Sequence, residues 1–181
     1  MDLGRTCVLV TGAPGAGKST VTRRLAAALT RSAVLDGYVI SRLIVSGHVW
    51  ALGEPADEAS RQGALCNDNL CALATNIANA GFTPLIDTVV PDRAQLDTYR
   101  QSLGDRLRLV VLDPDIGTCV QRNAMRPASD QFFFDGYAEL RASMQNGFHE
   151  LGWWFDTSTL TIDETVKQLL EAAGDRAVLL S

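Results

Sequence analysis

Gly12-Ala13-Pro14-Gly15-Ala16-Gly17-Lys18-Ser19 is the stretch on which the fold turns. Its spacing is G-x-x-x-x-G-K-[ST]. In that pattern the glycines let successive backbone N–H groups converge on phosphate oxygens, the lysine reaches the β and γ oxygens, and the hydroxyl binds Mg²⁺. Gly12, Gly15, Gly17, Lys18 and Ser19 take those roles, Ala13, Pro14 and Ala16 complete the loop, and Thr20 is placed to face an α-phosphate. The flanks agree with this reading. Cys7-Val8-Leu9-Val10-Thr11 is a short apolar run rich in β-branched residues, the form of a buried parallel strand. After the loop, Val21, Leu25, Ala26, Ala28 and Leu29 recur at helical spacing.

Working outward, strands and helices alternate to the end of the chain. Strands are expected over 32–35, 82–87, 107–112 and 153–156, and helices over 38–49, 55–80, 92–102, 116–123, 134–151 and 161–173. The long 55–80 helix carries an apolar stripe of Leu65, Leu70, Leu73, Ala74 and Ile77 and stops at Gly81. No repeat and no interdomain linker interrupts the pattern, so 181 residues read as one domain. Such alternation predicts an α/β fold, a parallel sheet with helices on both faces and ligands outside the carboxyl ends of the strands.

The residues at those carboxyl ends therefore carry the chemistry. Asp36 follows the second strand in Leu35-Asp36-Gly37-Tyr38, where a carboxylate can orient a hydroxyl and accept its proton, or cap the next helix. Asp87 closes Pro84-Leu85-Ile86-Asp87, an apolar run ending in a carboxylate, which suits holding Mg²⁺ through water, positioning an acceptor or forming a turn. Asp92 reads as a helix start. Asp113-Pro114-Asp115 reads as turn chemistry and an N-cap. Arg122 and Arg126 are four residues apart and would share a helix face, from which either could neutralise charge on a transferring phosphate. Asp156-Thr157-Ser158 could line a base or cap the last helix. Phe132-Phe133-Phe134 is a flap or core.

Composition removes other classes. A net charge of −5 disfavours a protein that grips nucleic acid through its phosphates. Cys7, Cys66, Cys71 and Cys119 lack C-x-x-C spacing and read as reduced thiols, which points to the cytoplasm. No run approaches the roughly 20 apolar residues of a bilayer span, so no membrane partner is expected. His48 and His149 fall in different predicted helices, which argues against a histidine metal site. The guanine-reading N-K-x-D of a GTPase is missing.

With the loop, Asp36, Asp87 and the arginine pair in this order, the chain resembles the small P-loop kinases of the nucleoside-monophosphate-kinase type. Within that group it is most similar to the chloramphenicol phosphotransferase-like, zeta-toxin-like and polynucleotide-kinase-like branch. The resemblance implies a five-stranded parallel sheet in the order 2-3-1-4-5, with 37–80 as acceptor-binding region and a short lid at about 120–133. It implies ATP and Mg²⁺ as cofactors, Asp36 as base or acceptor anchor, and Lys18 with Arg122 or Arg126 on the phosphates. Ser19 and Asp87 would hold the metal. The expected reaction moves the γ-phosphate to a hydroxyl of a small molecule, an antibiotic or other metabolite. The rivals are a nucleotide-sugar or polynucleotide 5′-hydroxyl kinase and an ATP-binding regulator that transfers nothing. A homodimer is compatible with the sequence. Residues 37–80 carry no nucleobase signature, so the acceptor is open.

Overall fold

The computed structural model describes residues 5–128, 131 and 133–172. Five strands form one parallel sheet: β1 (Cys7–Gly12), β2 (Ser32–Asp36), β3 (Thr83–Asp87), β4 (Leu107–Leu112) and β5 (Trp153–Phe155), in the order β2-β3-β1-β4-β5. Among the described residues seven α-helices connect and cover them: α1 (Lys18–Ala28), α2 (Gly37–Ser41), α3 (Ala56–Asn79), α4 (Arg93–Leu103), α5 (Ile116–Ala124), α6 (Tyr137–Phe148) and α7 (Ile162–Ala172). The strand order is the expected one.

The period-two alternation of the central strands divides the core into two layers. From β1, Cys7 and Leu9 face a layer with Leu70, Ala74, Leu96, Tyr99 and Phe148 of α3, α4 and α6. Val8 and Val10 face the other, with Val21 and Leu25 of α1 and Val166 and Leu169 of α7. Leu9, Leu85, Ile86 and Leu109 are fully buried, and each such side chain contributes about 2 kcal/mol by leaving water. A polar knot sits between α3 and α4: buried Asn67 Oδ1 accepts from Tyr99 Oη at 2.8 Å and from Gln95 Nε2 at 3.1 Å. Burial raises the Tyr99 phenol pKa far above its usual value, so it stays a donor.

Four sequence expectations need correction. The 38–49 helix ends at Ser41. Gly47 adopts φ +76°, and Gln62 of α3 takes over the loop, accepting from Val49 N and donating to Gly47 O at 2.8 Å each. The 134–151 helix spans only Tyr137–Phe148, with Gly136 as its N-cap. On α3 the buried side is Ala59, Asn67, Leu70, Cys71, Ala74 and Ala78, which turns Leu65 and Leu73 toward solvent. The last helix is capped by Thr161, whose Oγ1 accepts from Glu164 N while Glu164 accepts from Thr161 N, a capping box; Asp156 and Ser158 bond instead to each other. Ala173, assigned to that helix, lies outside the described residues, as do Phe132 of the aromatic run and positions 129, 130 and 132 of the 120–133 segment.

Candidate active site

Backbone geometry builds the phosphate loop. Gly12, Gly15 and Gly17 all have positive φ, at 144°, 80° and 100°. Space is as restrictive as torsion: a Cβ on Gly15 would lie 2.2 Å from Cys119 O, and one on Gly12 would lie 2.3 Å from Leu112 O. The loop is pressed between the end of β4 and the backbone of α5, so its amides hold their positions before any ligand arrives.

Lys18 opens α1, and its Nζ donates to Gly12 O at 2.9 Å and Ala13 O at 3.1 Å. Burial is the main cause that pushes its pKa down to about 8, and Arg126 adds to the fall; Asp87, Cys119 and Asp36 oppose it. This is a half-desolvated cation beside a cradle of amides, an arrangement that favours a polyanion.

The two carboxylates meet through sheet register. Asp36 and Asp87 are partners in the β2–β3 ladder, so both strands deliver an acid to the same point of the edge. Asp36 Oδ1 accepts from Tyr38 N at 3.0 Å and Val39 N at 3.3 Å, capping α2, while Oδ2 takes Arg23 Nη2 at 3.1 Å. The cap and a charge-holding role thus occupy different oxygens of one side chain. The next residue must be small, because a Cβ on Gly37 would meet Thr88 Oγ1 at 2.7 Å.

Asp87 is 5% exposed. Burial raises its pKa, against a hydrogen bond from Ser19 and the charge of Lys18, and the Asp36 charge raises it further. Beyond it, Thr11 Oγ1 accepts from Val90 N at 2.9 Å and fixes the turn.

Ser19 and Asp87, in hydrogen-bond contact, offer a hydroxyl and a carboxylate, both hard oxygen donors. Among the described residues no group of three His, Cys, Asp or Glu could enclose a metal alone. A cation at this spot would draw its other ligands from phosphate and water, which suits Mg²⁺. The residues present therefore fit both the nucleotide and its metal.

The arginines part company. α5 ends at Ala124, so Arg126 lies beyond it and the two do not share a helix face. Arg122 donates to Ala16 O at 3.3 Å and Thr157 O at 2.9 Å, tying the phosphate loop to the loop after β5. Arg126 bears electrostatically on Lys18.

Two partners had no sequence signal. Arg23 of α1 pairs with Asp36 across the end of β2, and Arg141 of α6 grips Asp113 bidentately at 2.8 and 2.9 Å, so Asp113 is more than a turn residue. Asp92 and Asp115 do cap α4 and α5, accepting from Gln95 N and Thr118 N.

A family model described as an AAA domain, AAA_33, matches residues 7–151. The chain belongs to that family. No curated protein matches this AAA_33 sequence. Solved structures match its fold over nearly all of both chains. The shikimate kinase of Acinetobacter baumannii, in complex with shikimate, is 19% identical with a TM-score of 0.68, covering 93% of this chain and 92% of that one. The APS kinase of Mycobacterium tuberculosis, in complex with AMPPNP and APS, is 21% identical at 0.64, covering 97% and 100%. The tunicamycin resistance protein of Deinococcus radiodurans is 20% identical at 0.64, covering 93% and 95%. At such identities the likeness is one of fold, a P-loop kinase-like fold. Among the described residues of this AAA_33 chain no helix is long and apolar enough to cross a membrane.

Proposed function

We propose that this AAA_33 chain is an ATP- and Mg²⁺-dependent phosphotransferase that moves the γ-phosphate to a hydroxyl of a small molecule, of the chloramphenicol phosphotransferase-like, zeta-toxin-like and polynucleotide-kinase-like branch. The observation that carries this is the pairing of Asp36 with Asp87 beside Lys18 and Ser19. A nucleotide sensor needs the loop and the metal residue and could use Asp36 to cap α2; the Oδ2 left over from that cap, at the acceptor side, is what a transferase would use.

The backbone N–H groups of residues 12–19 other than Pro14 would hold the phosphates, Thr20 would reach the α-phosphate, and Ser19 and Asp87 would hold the metal. Mg²⁺ would screen the phosphate charges and align the γ-phosphate. Arg23 orients the Asp36 carboxylate through its Oδ2. The acceptor hydroxyl gives its proton to Asp36 Oδ2, its oxygen forms the new bond to γ-phosphorus, and the bond from that phosphorus to the β-bridging oxygen breaks to leave ADP. Lys18 stabilises charge on the equatorial oxygens, joined by Arg126 from the 120–133 lid, while Arg122 steadies the loop from behind. Residues 37–80 form the acceptor wall. The solved kinases of like fold and the tunicamycin resistance protein support the class and leave the acceptor open.

Transfer of labelled γ-phosphate to a broad panel of hydroxyl compounds tests the reading, and no product with any acceptor would sink it. Asp36→Asn separates enzyme from regulator. Asn caps a helix as well as Asp, so the fold and ATP affinity should persist while turnover falls by about 10²–10⁴. Unchanged turnover would remove Asp36 from the chemistry.

A further inference from the structure

The acceptor wall has an unusual surface. Among the described residues, Tyr38, Val39, Leu43, Trp50, Leu52 and Leu65 are all exposed, Leu52 at 72% and Leu43 at 66%. They share the segment that starts at Asp36 and ends on the first half of α3. Its hydrogen bonds fold it back on itself. Tyr38 and Val39 give their N–H groups to Asp36. Gln62 holds the loop at Gly47 and Val49. Cys66, one turn further along α3, reaches Gly37 O with its Sγ at 3.5 Å. Folded chains seldom leave so many large apolar groups exposed within one stretch unless something covers them.

The charges say what kind of molecule that is. Residues 37–80 contain two arginines, Arg42 and Arg61, against Glu54, Asp57, Glu58 and Asp68. Arg61 is held by Glu58 at 2.6 Å and Asp57 at 3.4 Å. Arg42 donates to Tyr38 Oη and lies over its ring, 5.5 Å from the centroid. Arg23, nearest the proposed base, is committed to Asp36. A carboxylate, sulfate or phosphate on the acceptor would meet a wall with four acids against two arginines, of which Arg61 is paired with acids and Arg42 is laid over Tyr38, and anion recognition ordinarily demands guanidinium forks of its own.

From this we infer that the acceptor is an uncharged, lipophilic, hydroxyl-bearing molecule, an aromatic alcohol or an apolar polyol, whose hydrophobic body lies on Tyr38, Leu43, Trp50, Leu52 and Leu65 while its hydroxyl reaches Asp36. The inference rests on the phosphotransferase reading and excludes its nucleotide-sugar and polynucleotide variants. It also makes residues 42–55 the specificity-determining segment.

The test uses the whole chain with ATP and Mg²⁺. Neutral aromatic alcohols and apolar polyols are compared with matched carboxylated, sulfated or phosphorylated compounds, including methyl para-(hydroxymethyl)benzoate against its free acid. The neutral member of each pair should react with kcat/KM at least about tenfold higher. Trp50→Ala and Leu52→Ala should each raise acceptor KM by about tenfold while leaving the KM for ATP unchanged. Preference for the anionic members would overturn the inference and leave the kinase reading standing. No turnover with either panel would overturn the kinase reading. The surface is then judged by fluorescence: saturable quenching by the methyl ester that is present in the wild type, lost in Trp50→Phe and not produced by the free acid upholds it, and no quenching ends it. If light scattering shows a dimer that Leu52→Asp splits, the surface belongs to a second copy and the inference falls.

Discussion

The phosphate loop and the 42–55 segment lie at the same edge of the sheet and are built on opposite plans. In the loop two of the three glycines are hemmed in by backbone, Gly12 by Leu112 and Gly15 by Cys119. In the segment Gly47 also has a positive φ, 76°, yet a Cβ there would meet nothing within 4 Å. The loop is buried and charged; the segment is exposed and apolar and is held by two hydrogen bonds with Gln62, one donated to Gly47 O and one accepted from Val49 N. A phosphate is the same in every nucleotide, so its cradle can be rigid. An acceptor surface that relies on apolar contact can change its side chains without disturbing the sheet.

This contrast is open to direct attack, and the largest effect should come from Gly15→Ala. Left-handed backbone and a clash with Cys119 O together should destabilise the fold by about 3 kcal/mol and abolish nucleotide binding. A denaturant melt checks this, and a midpoint close to wild type would mean that the loop is less rigid than its packing implies.

The next effect is set by pH. Lys18 has a folded pKa of about 8 against its ordinary 10.5. Between those values the unfolded chain binds more protons, so Lys18 adds stability as pH rises through the window, and its penalty is full below about 8. Nucleotide affinity should run the other way, falling up to about tenfold per pH unit above pH 8 as the free protein loses the ammonium that phosphate needs. Calorimetry in buffers of different ionisation heat should show a proton taken up on ATP binding near pH 8, and a flat profile would place the Lys18 pKa well above this range.

The smallest effects belong to the segment. Gly47→Ala should cost about 1 kcal/mol, from torsion alone. Trp50→Ala and Leu52→Ala should change stability by no more than about 0.5 kcal/mol. Thermal melts decide it, and losses of several kcal/mol would reveal these side chains as packed core.

Much of the nucleotide side was legible because local chemistry fixes it. Glycine spacing, an apolar strand before and a helix after are encoded within a few residues of each other, and the acids at 36 and 87 stand at the ends of apolar runs. The 38–49 helix was misread because its apolar residues fit a helical pattern; the chain leaves the helix after Ser41, and Gln62, far along the chain, holds the following loop at Gly47 and Val49. The Leu65 and Leu73 stripe failed for a related reason. Hydrophobic spacing shows that a helix has a face, and the neighbours decide which face is buried; on α3 the buried polar Asn67 is held inside by Tyr99 and Gln95 of α4.

The sequence by itself determined a parallel α/β sheet with a phosphate loop at its edge and an acid at the end of each of two strands. Tertiary structure decided that those acids are register partners, that Arg23 holds one of them, that Arg122 pins the loop while Arg126 falls beyond the helix end, and that Tyr38, Leu43, Trp50 and Leu52 stay exposed in the segment after Asp36. The physical reason is range. Torsion, periodicity and capping act within a few residues and leave a mark on the sequence, whereas ladder register and ion pairs join residues from separate segments and exist only once the chain has closed upon itself.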